Sequence, residues 1–238
     1  MKTALYEVFS SVQGEATRVG ERHLFVRLAG CDLECVFCDT PASHRIPDEA
    51  RLFLPDGTET APNPLSVETL DAWVTRLDEA AGPHHAISIT GGEPLLFVDF
   101  LRAVLPRWER FPILLETGGH RPDELARVLD LVDIVMMDVK LPSSAGFAPD
   151  VDVTRRFLEI ARSKERAVKL VCNARTTADE IESVARLLRD EPLILQPVSG
   201  ARFEPPTGGH MLALQRAAMR HHRDTRVIPQ THRLLHVR

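Results

Sequence analysis

Short apolar runs alternate with amphipathic stretches along most of the chain. The runs are rich in Val, Ile and Leu with little polar alternation, which is typical of strands buried on both faces of a parallel sheet. Strands that alternate with helices predict βαβ units with right-handed crossovers. The predicted strands cover residues 23–28, 86–90, 112–117, 133–139, 167–172 and 192–197. The predicted helices cover residues 66–81, 98–110, 122–131, 152–163, 177–190 and 209–222.

Six such units predict an α/β fold, an open partial (β/α)6-type barrel, in a single domain over residues 1–238. A flat doubly wound sheet is the alternative, because periodicity alone does not separate the two. Residues 3–15 predict an extra N-terminal edge strand followed by a loop. Residues 41–65 form a Pro-rich insertion whose turn signal at residues 55–57 predicts a small hairpin. This insertion either covers a functional site or forms an ordinary surface loop.

Composition argues against a nucleic-acid-binding, membrane or secreted protein. Charged residues make up 26% of the chain and the formal net charge is -5, without a basic block typical of nucleic-acid binding. The sequence has no apolar run approaching the roughly 20 residues of a membrane span, and its first ten residues lack the apolar core of a secretory signal. We therefore expect a cytoplasmic protein that contacts neither nucleic acid nor membrane.

Three of the four cysteines lie within eight positions, directly after the first barrel strand. Clustered cysteines in a reducing compartment more often bind metal or perform redox chemistry than form disulfides. Cys31, Cys35 and Cys38 can wrap one iron–sulfur cluster and leave one iron open. Cys172 lies in an apolar strand and is predicted to be a buried packing residue. A zinc site completed by His44 is the alternative.

The Cys-x3-Cys-x2-Cys spacing, with Phe37 before the last cysteine, resembles the signature of radical S-adenosylmethionine enzymes. The resemblance implies a [4Fe–4S] cluster on these three cysteines and S-adenosylmethionine bound at the open iron, where reduction yields an adenosyl radical. It also implies an electron donor such as flavodoxin or ferredoxin, and a homodimer. Residues 90–94 (TGGEP) are similar to the motif that binds the methionyl group in this family, although two glycines alone also suit an ordinary turn.

Charged and polar residues stand at the ends of several otherwise apolar strands. Such groups are costly to bury unless they are paired or bound to a ligand, so each is either a satisfied rim charge or part of a binding site. With the resemblance, the candidates for binding S-adenosylmethionine are Phe37, Cys38, Asp39, Gly92, Glu93, Glu116, Asp138, Val139, Lys140, Lys169 and Gln196.

The segment at residues 10–15 (SSVQGE) combines an amide, a glycine and a carboxylate in one short loop. This set can recognise a ring with both donors and acceptors, such as the amino-pyrimidinone edge of a pterin. The guanidinium of Arg27 matches a carboxylate in bidentate fashion, unless it is simply exposed on its strand. The substrate candidates are Val12, Gln13, Gly14, Glu15, Arg27, Thr90 and His232, with Gln230 as a further possibility.

Together with residues 25–31, 38–40 and 227–232, that segment resembles the 7-carboxy-7-deazaguanine synthase family. The resemblance implies conversion of 6-carboxy-5,6,7,8-tetrahydropterin to 7-carboxy-7-deazaguanine and ammonia, in queuosine and 7-deazapurine biosynthesis, with Mg²⁺ at Thr40. Residues 138–140 (DVK) are instead similar to glycyl-radical activating enzymes, which are the alternative. A cluster- or zinc-binding module without catalysis is a third hypothesis.

Overall fold

The computed structural model describes residues 1–199 and 203–238. Its strands are β1 (Lys2–Thr3), β2 (Leu5–Val12), β3 (Arg22–Leu28), β4 (Glu49–Leu54), β5 (Gly57–Pro62), β6 (Leu65–Ser66), β7 (Ala86–Gly91), β8 (Ile113–Thr117), β9 (Ile134–Asp138), β10 (Glu165–Cys172), β11 (Leu193–Pro197) and β12 (Thr225–Val227). Its α-helices are α1 (Val67–Ala81), α2 (Val98–Val104), α3 (Pro122–Val128), α4 (Pro142–Ala145), α5 (Val151–Ala161), α6 (Ala178–Ala185), α7 (Gly208–Ala218) and α8 (Thr231–Leu234).

In the described ranges, one large sheet has the strand order β12-β11-β10-β9-β8-β7-β3-β2-β4-β5. The strands from β12 to β3 in this order are parallel neighbours. They follow the chain without a reversal, so right-handed crossovers carry the helices to one face of the sheet. A doubly wound sheet needs such a reversal. The predicted partial barrel is confirmed, and the flat alternative is excluded.

Helices α1, α2, α3, α5, α6 and α7 share one apolar core with the strands of this sheet. Helix α1 begins after its N-cap Ser66, whose Oγ accepts a hydrogen bond from the Thr69 amide at 3.2 Å. It buries Leu70, Val74 and Leu77 at helical spacing. Within the described ranges, no helix is long and apolar enough to cross a membrane.

Several elements differ from the sequence prediction, among them the helix expected over 177–190, which ends at Ala185. The helix expected over 98–110 is a short α2 followed by a 3-10 turn at Leu105–Trp108, because Pro106 lacks an amide donor and disrupts α-helical geometry. Strand β12 was missed, since three residues with an exposed Arg226 in the middle carry too little periodicity. It adds a seventh parallel strand to the six predicted.

The two unusual segments lie side by side in the sheet. The predicted N-terminal strand is present as β2, antiparallel to β3, but the prediction of an edge position is wrong because β4 pairs with its other side. The turn at residues 55–57 closes the β4–β5 hairpin as predicted. Among the described residues of the insertion at 41–65, His44 alone lines the central cavity. The insertion therefore mainly extends the sheet.

Candidate active site

An open cavity of about 1410 Å³ lies where the parallel strands β3 and β7 to β11 reach their carboxyl ends. This is the end at which βα-barrel enzymes bind their substrates. Every candidate site residue named from the sequence lines it, except Thr40 and Val139. Val139 is 2% exposed and belongs to the apolar core instead.

The cysteine loop forms one wall of the cavity, with Cys31, Cys35 and Cys38 partly buried and facing it. Burial raises the pKa of Cys35 to about 11, although the nearby Lys140 charge opposes this. Thiolates at these positions therefore need further positive charge, which iron supplies. In the described part of the chain, no three His, Cys, Asp or Glu side chains converge as a single-ion site requires. Three thiolates that each bind a different iron suit a cluster better than the zinc alternative.

The glycine loop after β7 packs directly against the cysteine loop. The Glu93 amide donates to the Gly30 carbonyl at 3.0 Å, and the Gly92 amide donates to the Leu28 carbonyl at 3.2 Å. A Cβ at Gly92 would lie 2.0 Å from the Gly30 oxygen and 2.9 Å from Cys31 Cβ. Glycine is therefore required at 92 because two backbone segments meet there.

The Gly92→Ala variant is expected to lose about 1–3 kcal/mol of unfolding free energy through overpacking and to retain less iron, since the new methyl group displaces the cysteine loop. Thermal denaturation and iron analysis after reconstitution measure both effects. Gly57→Ala is the matched control, because a Cβ there meets no atom within 4 Å. Equal iron content in the two variants would contradict the prediction.

The Glu93 carboxylate is satisfied by the protein itself. It is 1% exposed and accepts hydrogen bonds from Thr117 Oγ1 at 2.8 Å and from the Gly118 amide at 2.9 Å. It also accepts from the Leu95 amide at 3.0 Å. Its side chain thus joins the ends of β7 and β8, while its own amide is already used in the contact with Gly30.

Charged side chains from the loop after β2, from the end of β9 and from β10 meet across the cavity. The Lys169 ammonium is paired with the Glu15 carboxylate and lies 3.3 Å from Asp138 Oδ2, which also contacts Lys140 at 3.1 Å. Burial favours the neutral amine of Lys169, but Asp138 and Glu15 raise its pKa well above the usual value. Buried Asp138 Oδ1 and Gln196 Oε1 have no hydrogen-bond partner within the described residues. Both oxygens can accept hydrogen bonds from a bound ligand.

The Glu116 carboxylate, predicted to bind S-adenosylmethionine, contacts one of the substrate candidates. Gln13 Nε2 donates to Glu116 Oε1 at 2.9 Å. Burial raises the pKa of Glu116, and the neighbouring Glu15 charge raises it further. A raised pKa favours the protonated carboxyl group, which can donate a hydrogen bond as well as accept one.

The Gln13 amide is held at both ends. Its oxygen accepts from the Glu15 amide at 3.0 Å, and its nitrogen donates to Ser88 Oγ at 3.4 Å. Ser88 in turn is hydrogen-bonded to His23 Nδ1 at 2.8 Å, deep in the barrel. These contacts fix which face of the amide points toward Glu116.

Residues near position 230 form a further part of the cavity wall. The Thr231 amide donates to the Gly14 carbonyl at 2.9 Å. Gln230 Nε2 donates to Glu15 Oε1 at 2.6 Å and to Asp39 Oδ2 at 3.0 Å. His232 lies against Gly14, where a Cβ would come within 2.1 Å of its Nδ1. Gln230 thereby joins the cysteine loop to the predicted substrate loop.

The fold and this arrangement agree with comparisons to known proteins. The family model described as the Radical SAM superfamily matches residues 26–192, so the chain belongs to that superfamily. A 7-carboxy-7-deazaguanine synthase of Geobacter sulfurreducens is 41% identical over 97% of this chain and 96% of its own length. One from Methanothermobacter thermautotrophicus is 36% identical over 100% and 99%. The chain is a member of the 7-carboxy-7-deazaguanine synthase family.

A solved structure supports the same fold. The crystal structure of QueE from Escherichia coli matches with a TM-score of 0.62, covering 98% of this chain and 95% of that one at 21% identity. At this identity the likeness supports the architecture of the sheet and helices.

Proposed function

We propose that the chain is a radical carbon–nitrogen lyase that converts 6-carboxy-5,6,7,8-tetrahydropterin to 7-carboxy-7-deazaguanine and ammonia, in queuosine or 7-deazapurine biosynthesis. The observation that carries the proposal is that one cavity joins the three-cysteine loop to Gln13, Glu15 and Arg27. Relatives that carry the synthase name match nearly the whole chain.

The residues fit the two cofactors that the family implies. Cys31, Cys35 and Cys38 would hold the cluster, and the backbone around Gly92 would face the methionyl group. The unpartnered oxygens of Asp138 and Gln196 are suited to accept from amino or hydroxyl groups of S-adenosylmethionine. When bound, these two cofactors supply the radical that removes a hydrogen atom from the substrate.

The protein's own groups would orient the substrate. The Gln13 amide and the Glu15 and Glu116 carboxyl groups match the donors and acceptors on the amino-pyrimidinone edge of a pterin. Burial and the Glu15 charge raise the pKa of Glu116, which would favour its protonated form as a hydrogen-bond donor to the ring. Nη1 and Nη2 of Arg27 form no hydrogen bond within the described residues, and they would bind the substrate carboxylate.

Magnesium is proposed to bind next to the cysteine loop. The Thr40 hydroxyl lies 3.1 Å from Asp39 Oδ1, and oxygen donors of this kind are those that Mg²⁺ prefers. Burial alone would raise the pKa of Asp39, but the Lys169 and Arg27 charges lower it, so this carboxylate is ionised and available to a cation. Loss of turnover on magnesium removal, restored by adding the ion back, would support this part of the proposal.

The resemblance also supports a cytoplasmic homodimer that receives electrons from a flavodoxin or ferredoxin. Light scattering measures the mass of the assembly. Turnover with each reduced donor tests the electron source.

The function is tested anaerobically with reconstituted protein. Dithionite, S-adenosylmethionine, Mg²⁺ and 6-carboxytetrahydropterin are added, and 7-carboxy-7-deazaguanine is followed by mass. Product formation supports cofactor and substrate together. Formation of 5′-deoxyadenosine without product would overturn the substrate assignment and favour a glycyl-radical activating enzyme. Neither product, with an intact cluster, would leave only a binding module.

A further inference from the structure

One buried carboxylate beside the cavity has no role in the site described above. Glu7 on β2 is the direct register partner of Arg27 on β3, and Arg27 is the partner of Thr90 on β7. Glu7 is 4% exposed, and its Oε1 accepts a hydrogen bond from Arg27 Nε at 3.0 Å. This contact uses only Nε of the Arg27 guanidinium, so Nη1 and Nη2 remain available to bind another group.

The second oxygen of this carboxylate holds another arginine. Arg238 Nη1 donates to Glu7 Oε2 at 2.6 Å. The guanidinium of Arg238 stacks 3.6 Å from the centroid of the Phe53 ring, and both arginines lie within 6 Å of the Phe9 ring, at 5.8 and 5.9 Å. Arg27 and Arg238 both line the cavity. The two cations are therefore held side by side against an aromatic wall.

The charges of this group do not balance. Two guanidinium groups share the one Glu7 carboxylate, so the cations of this group outnumber its side-chain carboxylates. A buried carboxylate that bridges two arginines fixes their separation and orientation, which lowers the entropy cost of binding an anion between them.

We propose that Glu7 is a positioning residue that sets Arg27 and Arg238 as a paired receptor for the carboxylate of the pterin substrate. The inference rests on the proposed function, because it assigns the recognition of one substituent of that substrate. Arg238 thereby becomes a specificity residue, which separates carboxylated from uncarboxylated pterins.

The test compares binding of two stable analogues, 6-carboxypterin and pterin, to the reconstituted holoenzyme by fluorescence titration. Glu7→Gln keeps the size of the side chain and one oxygen that accepts from Arg27. Its amide N–H faces Arg238 and cannot accept a hydrogen bond, so Arg238 is released. Affinity for 6-carboxypterin is expected to fall about tenfold, with pterin binding unchanged. If Glu7 merely placed a negative charge near the site, the same variant would bind 6-carboxypterin more tightly.

A second variant keeps the test valid if Glu7→Gln unfolds. Arg238 is 46% exposed, so Arg238→Gln is expected to fold and to show the same selective loss. The double variant is expected to be no weaker than either single one, since both remove one shared contact. Glu59→Gln is the control, because Glu59 pairs only with exposed Arg76 in the described structure.

The outcomes separate the inference from the proposed function. If the wild-type protein, Glu7→Gln and Arg238→Gln all prefer 6-carboxypterin over pterin to the same degree, the positioning role alone is overturned. Wild-type protein that does not distinguish the two analogues would overturn both the receptor and the assigned substrate. Equal losses for both analogues would mean that Glu7 is only structural, which also overturns the inference.

Discussion

The Cys35→Ala variant is expected to fold but to assemble no stable iron–sulfur cluster, and therefore to cleave no S-adenosylmethionine. Only three cysteines line the described cavity, so the loss of one leaves two thiolates for a cluster that already has one iron without a cysteine. Iron and sulfide analysis, together with the charge-transfer absorption after anaerobic reconstitution, measures the effect.

Cys172→Ala is the matched control. Cys172 is fully buried in the core, and its sulfur donates weakly to the Leu170 carbonyl at 3.6 Å. Its removal creates a small cavity without touching the cluster loop, so iron content is expected to equal that of wild type. A Cys35→Ala protein with full iron and a normal spectrum would remove the basis of the cluster assignment.

The Arg27→Ala variant is expected to raise the KM for 6-carboxytetrahydropterin about a hundredfold, because one guanidinium of a partly buried charge pair is lost. Cleavage of S-adenosylmethionine without substrate is expected to stay near the wild-type rate, since no contact of Arg27 to the cysteines is needed for that step. Steady-state kinetics and 5′-deoxyadenosine formation measure the two effects separately.

Arg22→Ala is the matched control for Arg27→Ala, because it also removes an arginine from β3. Arg22 lies at the opposite end of β3, where its Nε donates to Ser10 Oγ at 3.1 Å outside the cavity. We expect it to behave as wild type. If Arg27→Ala lowered cleavage and turnover together while substrate affinity stayed the same, the carboxylate-binding role would be wrong.

The sequence predicts the barrel well because its strands are long, apolar and separated by amphipathic helices. Parallel strands bring their carboxyl ends to one edge, so the sequence alone places residues as distant as Cys31 and Gln196 in one site. The order of those strands, which excluded the doubly wound sheet, could not be deduced from periodicity. It depends on which strands pair.

The internal organisation of the site is less predictable. Sequence position placed Glu116 among the residues for S-adenosylmethionine, yet its contact with Gln13 depends on the exact rotation of β8 and of the loop after β2. Glu7 gave no signal, because one acidic residue in a strand is read as solvent-exposed. Its burial follows from the paired arginines, which come from positions 27 and 238.

The contact between Gln230 and Glu15 has a consequence for the order of folding. The two residues are 215 positions apart in the chain, and the conformational entropy lost in closing a loop grows with the logarithm of its length. Contacts of such high sequence separation are made after local hairpins such as β2–β3 and β4–β5. We therefore expect the cavity wall at Glu15 and Gln230 to be completed late, when the sheet that carries the cysteine loop has already formed.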